Sequence, residues 1–91
     1  MKVRLAPAAE ADLEQIRDTI LSANSAAAEH LQRSMARAIE LLKFFSHIGR
    51  PGSVKGTREK PVKALPYIIV YATEDEEFVI LRIFHGAQNR P

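Results

Sequence analysis

The sequence predicts an α+β fold, in which a hairpin of two helices covers one face of an antiparallel β-sheet. Apolar residues recur with a helical period in the first half of the chain, whereas a strand-like alternation follows in the second half. Between the halves lies GRPGSVKGTRE, whose glycines and proline indicate a loop. The expected order is therefore strand, helix, helix and a meander of three strands, in one domain over residues 1–91.

The chain opens with a short strand and an amphipathic helix. Polar and apolar residues alternate over Lys2–Leu5, as in a strand with one buried face. Pro7 suits the first turn of a helix, and Glu10 and Asp12 place negative charge near the positive end of its dipole. The helix should run to about Ala23. Its apolar face is formed by Leu13, Ile16, Ile20 and Leu21.

A second helix follows after a short break, which predicts an antiparallel helical hairpin. Ser25 is the expected N-cap, and Gly49 and Pro51 end the helix. The apolar stripe consists of Leu31, Met35, Ala38, Leu42 and Phe45, widened by Ala28, Ile39 and Leu41. We interpret Met35 as a core residue and not as part of a functional site.

Three strands are expected in the second half. KPVKAL indicates one strand to about Leu65, Pro66 marks a kink, and Tyr67–Thr73 forms the next strand. FVILRIF is the last strand, and the acidic segment Glu74–Glu77 forms the turn before it.

The last strand is apolar on both faces. If its side chains alternate regularly, one face carries Val79, Leu81 and Ile83 and the other carries Phe78, Ile80, Arg82 and Phe84. Two helices cover only one face of a sheet, so we expect the face with Arg82 to be open to a partner. The alternative is a sheet that curls around its own aromatic residues.

The composition excludes several classes of protein. Hydrophobic residues make up 46% and charged residues 26% of the chain, which is typical of globular proteins and not of disordered ones. The chain has no cysteine, and its three histidines share no helical spacing, so we expect no metal site and no cofactor. No apolar stretch approaches the ~20 residues of a membrane span. No secretory signal opens the chain, so we expect a cytoplasmic protein without a membrane partner.

Three features suit an anionic partner or proton transfer. Five basic side chains and one acidic side chain lie between Arg50 and Thr73, and this net charge of +4 suits a phosphate backbone or an acidic protein, or else a solvated face. The Arg82 guanidinium can bind phosphate or carboxylate, or pair with an acid across the sheet. His85 can act as a general acid or base, or simply cap the strand before Gly86.

Four short motifs stand in the second half of the chain, in the expected loop and strands. They are GRPG at Gly49–Gly52, GTRE at Gly56–Glu59, PYIIVY at Pro66–Tyr71 and HGA at His85–Ala87. Together with the order of strands and helices, these motifs resemble the ParE branch of the RelE/ParE superfamily of bacterial type II toxins. The resemblance covers essentially the whole chain.

This resemblance implies a growth-inhibiting toxin that a cognate antitoxin neutralises by wrapping it with a helix and an extended segment. RelE-like members cleave messenger RNA in the ribosome with basic residues of the sheet, whereas ParE-like members poison DNA gyrase without known catalysis. The positions of two nuclease arginines match Ile68 and Gln88 here, and without such cations the charge on a phosphate in flight is poorly stabilised. The resemblance therefore favours gyrase over the ribosome and messenger RNA as the target.

Candidate residues follow for each role. Target contacts are expected at Arg82, His85, Gln88 and Arg90, and secondarily at Arg58 and Lys60. Antitoxin contacts are expected on the open sheet face, at Phe78, Ile80, Phe84, Tyr67 and Tyr71. In the alternative, a ribosome-dependent endoribonuclease, His85 is the general base and Arg82 with Lys60 or Lys63 holds the phosphate. A third alternative is a chain without toxicity that only binds its antitoxin.

Overall fold

Five strands and two helices form the described part of the chain, residues 2–86 of a computed structural model. The elements are β1 Lys2–Leu5, α1 Pro7–Ala23, α2 Ser25–Phe44, β2 Arg50–Pro51, β3 Arg58–Pro61, β4 Tyr67–Glu74 and β5 Glu77–His85. The strands form one sheet in the order β1-β5-β4-β3-β2, and both helices pack on one of its faces. The predicted α+β class is confirmed. Neither of these helices is long and apolar enough to cross a membrane.

The sheet has one strand more than the sequence predicted. Within the expected loop, Arg50–Pro51 pairs antiparallel with the start of β3, and the Gly52 N–H donates to the Thr57 carbonyl at 2.8 Å. β3 begins and ends earlier than predicted, because a tight turn follows Pro61 in which Ala64 has a positive φ of 64°. β1 pairs parallel with β5 and completes the sheet at the far edge.

The helical hairpin begins at Pro7, as predicted, but its second helix is capped by Asn24 and not by Ser25. The Asn24 side-chain oxygen accepts the Ala27 N–H at 3.1 Å, whereas Ser25 is the first residue of α2. Asn24 also ends α1, since its own N–H donates to the Ile20 carbonyl at 2.8 Å. A single residue therefore makes the turn between the two helices.

Replacing Asn24 with alanine should lower the free energy of unfolding by about 1 kcal/mol, because the Ala27 N–H then loses its capping acceptor. Ser25→Ala is the matched control and should change stability by less than about 0.5 kcal/mol, since Ser25 is exposed and lies inside the helix. Urea denaturation of the two variants measures both effects. A larger loss from Ser25→Ala would contradict the observed cap.

The core lies between α2 and the central strands. Leu31, Met35 and Leu42 of α2 are at most 3% exposed and pack with Ile69 of β4 and Ile80 of β5. The predicted role of Met35 as a core residue is confirmed. The predicted apolar stripe is too long, however, because α2 ends at Phe44.

Residues near the end of α2 are accordingly more exposed than the stripe implied. Leu41 is 44% exposed and Phe45 is 57% exposed. Phe45 has left the helical conformation, with φ −131° and ψ 64°. Its side chain consequently does not continue the buried face.

A β-bulge interrupts the alternation of β5. Opposite β4, Arg82 pairs with Val70, whereas Ile80 pairs with Tyr71, the next residue of that strand. Leu81 is therefore an extra residue between the two pairs. Every side chain after it faces the side opposite to the one that regular alternation predicts.

The predicted faces of the last strand are consequently wrong. Phe78, Ile80 and Ile83 all belong to the core under the helices, where each is at most 2% exposed. By register, Arg82 and Phe84 lie on the opposite face. The predicted grouping of Arg82 with Phe78 and Ile80 fails because it assumed a regular strand.

Three of the five expected antitoxin contacts are core residues. Tyr71, Phe78 and Ile80 are 0% exposed in the folded chain, so the expectation that they lie on an open face is wrong. Tyr67 and Phe84 are partly exposed. Contact with the three buried side chains would require the helices to separate from the sheet.

The exposed apolar surface lies on the helical side of the molecule. On the sheet face opposite the helices, Val79 is 3% and Ile68 is 8% exposed. The large apolar side chains that the described residues do expose are Leu21, Leu41, Phe44, Phe45, Ile48 and Val54. Four of these six lie in the last turn of α2 or shortly beyond it, so the exposed apolar surface of the described residues is concentrated there and not on the sheet.

Candidate functional site

A cleft of about 250 Å³ opens between α1 and the C-terminal half of β5. Asp12, Gln15 and Thr19 line it from the helix, and Arg82 and His85 line it from the strand. β1 pairs only with the N-terminal half of β5, and beyond that pairing a main-chain N–H of β5 donates to Asp12 of α1. The cleft brings together two of the residues predicted to contact a target.

Arg82 is held by a two-pronged ion pair with Asp12. Its Nε donates to Asp12 Oδ2 at 2.7 Å and its Nη2 donates to Oδ1 at 3.0 Å. The main-chain N–H of Ile83 donates to the same Oδ2 at 2.9 Å. The Arg82 guanidinium carbon also lies 4.8 Å from the centre of the Phe84 ring, close enough for a cation–π contact. The sequence allowed Arg82 either to bind an anionic partner or to pair with an acid across the sheet. The structure shows a pair with an acid, which comes from α1 and not from another strand.

The ion pair shifts the pKa of both partners. Partial burial alone would raise the pKa of Asp12, but hydrogen bonds from Arg82 and from the Ile83 N–H, together with the guanidinium charge, hold it below its ordinary value. The hydrogen bond to Asp12 in turn raises the pKa of Arg82. Both groups are therefore charged at neutral pH, and much of the positive charge of Arg82 is neutralised locally.

His85 stands at the end of β5 beside an aromatic ring. It lies opposite Tyr67 in the β4–β5 ladder, and the two rings meet edge to face with their centres 5.6 Å apart. His85 thus lines the mouth of the cleft, and Tyr67 borders it on the side of β4.

Arg58 has a structural role in a different part of the molecule. Its Nη1 donates to the Gly49 carbonyl at 2.8 Å and to the His47 carbonyl at 3.4 Å, and so fixes the loop after α2. Tyr71 reinforces the same loop, because its hydroxyl donates to the Ser46 carbonyl at 2.7 Å and accepts the Gly49 N–H at 3.0 Å. We therefore do not retain Arg58 as a target contact.

Glycine is required at position 49 by this close approach. A Cβ there would lie 2.5 Å from the Tyr71 hydroxyl oxygen and 3.0 Å from the Glu59 carbonyl oxygen. The GRPG motif thus begins with a residue whose missing side chain lets the loop pack on β4.

Lys60 and Lys63 are separated from the cleft. Both line a second groove, between α2 and β3, together with side chains of α2. β4 lies between β3 and β5, so the backbones of the two flanking strands are about 10 Å apart. The cluster of His85, Arg82, Lys60 and Lys63 required by the nuclease alternative is therefore divided between two depressions.

The sequence analysis missed one residue of the cleft, Asp12, and two of the contacts that it predicted are not described by the structure. Gln88 and Arg90 lie outside the described residues. Asp12 was interpreted only as a charge near the helix dipole, although it is the partner of Arg82. The sequence did contain a signal for this pairing. Asp12 lies four residues before Ile16 and therefore on the apolar side of the helix, where an acidic side chain requires a partner.

Comparison with known proteins gives a consistent result. A family profile described as the ParE toxin of the type II toxin–antitoxin system parDE matches residues 3–90. A protein of Sinorhizobium fredii named "Putative toxin Y4kP" is 34% identical over 65 residues, which are 71% of this chain and 67% of that protein.

A solved structure has the same fold. It is described as the chromosomal ParDE toxin–antitoxin system from P. aeruginosa and superposes with a TM-score of 0.82 at 24% identity. The match covers 93% of this chain and 95% of the other. At this identity the similarity shows the fold, including the helical hairpin and the sheet that position the cleft.

Proposed function

This chain belongs to the ParE toxin family of type II toxin–antitoxin systems, and we propose that it inhibits growth in the cytoplasm by binding DNA gyrase until a cognate antitoxin neutralises it. The target contacts are Arg82 and His85 at the α1–β5 cleft, together with Gln88 and Arg90, which follow β5 in the sequence. Lys60 is a secondary contact. The toxin acts as a binding inhibitor and requires no catalytic group or cofactor of its own.

The ion pair between Arg82 and Asp12 is the observation that carries this proposal. A nuclease needs cations directed at the charge that develops on the phosphate. Here two of the three guanidinium nitrogens of Arg82 donate to the Asp12 carboxylate, at 2.7 and 3.0 Å. The lysines that could assist lie in the other groove. This arrangement favours a rigid binding surface over a phosphate-transfer site.

One observation favours the second candidate, a ribosome-dependent endoribonuclease. His85 and Arg82 line the same concave cleft, and a histidine beside an arginine is a usable pair for attack by a ribose hydroxyl. In this alternative Arg82 must exchange Asp12 for a phosphate. The two candidates consequently differ in how strongly activity depends on His85.

Purified toxin added to gyrase, ATP and DNA should accumulate cleaved DNA trapped in the enzyme, while messenger RNA on translating ribosomes remains intact. His85→Ala should weaken gyrase inhibition no more than about tenfold, because several contacts share the energy of an interface. His47→Ala, an exposed histidine outside the cleft, is the matched control and should leave inhibition unchanged.

Other results would exclude the gyrase proposal. Messenger cleavage that falls a hundredfold or more in His85→Ala, with normal supercoiling, would establish the nuclease. Full gyrase inhibition after removal of residues 88–91 would exclude Gln88 and Arg90 as contacts. A chain that leaves both reactions unaffected and still binds its antitoxin would be the third alternative, a binding module without toxicity.

A further inference from the structure

The second groove, between α2 and β3, carries basic side chains on both of its walls. Its volume is about 380 Å³. Arg37 lines it from α2, Lys60 lines it from β3, and Lys63 lines it from the turn that follows β3. His30 and Ser34 also line the wall formed by α2, and none of the described residues that line the groove is acidic. The groove therefore combines side chains from the basic segment of the sequence with side chains of a helix.

The positive charge of the second groove is not compensated by acids. Its three cations take part in none of the ion pairs found among residues 2–86. The acids nearest to them in the sequence pair with other cations, Glu40 with Lys43 at 3.2 Å and Glu59 with Arg50 at 3.3 Å. Three uncompensated cations around one concave surface create a potential that attracts negative charge.

The length of the groove matches a short stretch of a nucleic-acid backbone. His30 and Arg37 lie seven residues apart on α2, so this wall is about 10 Å long. Each strand of duplex DNA carries one phosphate per ~3.4 Å of helix axis, so about three phosphates lie along the same length. Three cations on two facing walls can therefore each meet one phosphate.

The lining of the groove favours a duplex over a single strand. Proteins that bind single strands stack the bases on aromatic rings between their basic residues, but no Phe, Tyr or Trp lines this groove. Phe44 borders the next depression along α2, together with the acidic Glu40. The floor contains Leu41 and Pro61, whose aliphatic side chains cannot read the edges of bases. These features suit contact with the phosphate backbone alone.

We propose that the second groove binds the phosphate backbone of duplex DNA, and that this DNA is the segment held by gyrase in the inhibited complex. An acidic protein would satisfy the same cations, but gyrase acts on duplex DNA, and only this choice of ligand rests on the proposed function. Lys60, the secondary target contact, thus meets the DNA and not the enzyme. The longest dimension of the chain is 38 Å, so a toxin that contacts gyrase through the α1–β5 cleft can reach DNA bound to the same enzyme.

Fluorescence anisotropy of a labelled 20-base-pair duplex, titrated with the purified full-length chain at 50 to 200 mM NaCl, measures this binding. The logarithm of the binding constant should fall with the logarithm of the salt concentration with a slope of about −3, because three neutralised phosphates release their counterions. Arg37→Gln and Lys63→Gln should each reduce the slope by about 1 and the affinity at 0.1 M salt about five- to tenfold. Circular dichroism confirms that each variant is folded.

Lys55→Gln is the matched control, because it removes the same charge from an exposed residue that does not line the groove. It should change the affinity less than twofold and leave the slope unchanged. Two duplexes of unrelated sequence should bind with affinities within about twofold of each other, since phosphates carry no sequence information. Absence of duplex binding at 50 mM salt, or equal affinities of Arg37→Gln and Lys55→Gln, would overturn the proposal.

Two other ligands test the choice of occupant. Poly-L-glutamate that binds as tightly as the duplex at the same concentration of charge would assign the groove to an acidic protein and overturn the proposal. A single-stranded 20-mer that binds more tightly than the duplex, and is released by Phe44→Ala, would also overturn it, because its bases would then stack on that ring.

The groove proposal and the gyrase mechanism fail in different experiments. The titration contains no gyrase, so a chain that binds duplex DNA but leaves gyrase unaffected contradicts the proposed function and not the DNA site. Gyrase inhibition by a chain that does not bind duplex DNA contradicts the groove proposal alone. In the gyrase assay, Arg37→Gln should require at least fivefold more toxin than Lys55→Gln for half-maximal accumulation of cleaved DNA. Equal potency of the two variants would overturn the assignment of the groove to the DNA held by gyrase.

Discussion

Tyr71→Ala should lower the free energy of unfolding by about 3–5 kcal/mol, one of the two largest losses that we expect from a single substitution in this chain. Tyr71 is 0% exposed, and its ring lies 4.8 Å from that of Phe78, centre to centre. Truncation leaves a cavity at the junction of β4, β5 and the loop after α2. Urea denaturation with circular dichroism measures the loss.

Tyr71→Phe separates the ring from the hydroxyl. It keeps the packing but removes a donor to the Ser46 carbonyl and an acceptor for the Gly49 N–H, so we expect a loss of about 1–3 kcal/mol. If Tyr71→Phe is as stable as the original chain, the hydroxyl does not hold the loop. Tyr67→Ala is the control for loss of a tyrosine from the same strand, and should cost less because Tyr67 is only partly buried.

The Tyr71 hydroxyl should also make the free energy of unfolding depend on pH in alkaline solution. Burial raises the pKa of Tyr71, although its hydrogen bond with Gly49 and the charge of Arg58 oppose the shift. The unfolded chain therefore releases this proton at a lower pH than the folded chain. The stability that results is fully present below pH 10, the ordinary pKa, and is lost as the pH rises toward the raised value.

The element types could be predicted because local periodicity determines them. The helical stripe through Leu31, Met35 and Leu42 and the strand-like run of β5 each follow one period over many residues. The two-residue β2 could not be predicted in this way, since its pairing with β3 depends on the geometry of the whole loop. The prediction of Ser25 as the N-cap of α2 was wrong, because serine and asparagine cap helices equally well and the sequence does not distinguish Ser25 from Asn24.

The site was less predictable than the fold, because it depends on a bulge and on contacts distant in sequence. Arg82 was recognised as a candidate, but its partner Asp12 lies 70 residues away in the chain. Because of the bulge at Leu81, the side chains that follow it lie on the face of β5 opposite to the one that regular alternation predicts. No pattern in FVILRIF marks this bulge, since both faces of the strand are apolar and either register buries apolar side chains.

The second groove, between α2 and β3, illustrates the same limit. The sequence predicted a basic segment from Arg50 to Thr73 and an apolar stripe on the second helix, as two separate features. Packing of α2 beside β3 places Arg37 and Leu41 next to Lys60 and Lys63, and only this juxtaposition creates a charged groove with an apolar floor. A groove of this kind arises from tertiary structure, so neither segment alone indicates it.

Asp12→Asn should lower the free energy of unfolding by about 2 kcal/mol at pH 7, because the carboxylate accepts charge-assisted hydrogen bonds from Arg82 and the Ile83 N–H. The pKa of Asp12 is lowered in the folded chain, so its contribution to stability is present above pH 3.8, the ordinary value. That contribution is lost as the pH falls through the lowered pKa. The difference between variant and original chain should therefore shrink in acid.

Asp18→Asn, an exposed acid on the same helix, is the control and should show neither effect. A loss of stability in Asp12→Asn that is independent of pH would contradict a role for the carboxylate charge. Combining Asp12→Asn with Arg82→Gln completes a double-mutant cycle, and a coupling of about 1 kcal/mol or more is expected for two groups in direct contact.

The same pair of substitutions tests how Arg82 serves the proposed target surface. If Arg82 acts by holding the end of β5 against α1, Asp12→Asn should weaken gyrase inhibition as much as Arg82→Gln does. If Arg82 contacts gyrase directly, Arg82→Gln should weaken inhibition, while Asp12→Asn, which releases the guanidinium, should preserve or strengthen it. We expect the second result, because Arg82 Nη1 takes no part in the ion pair and Arg82 lines an open cleft beside His85. Equal losses would make Arg82 a positioning residue and leave His85 as the contact from β5.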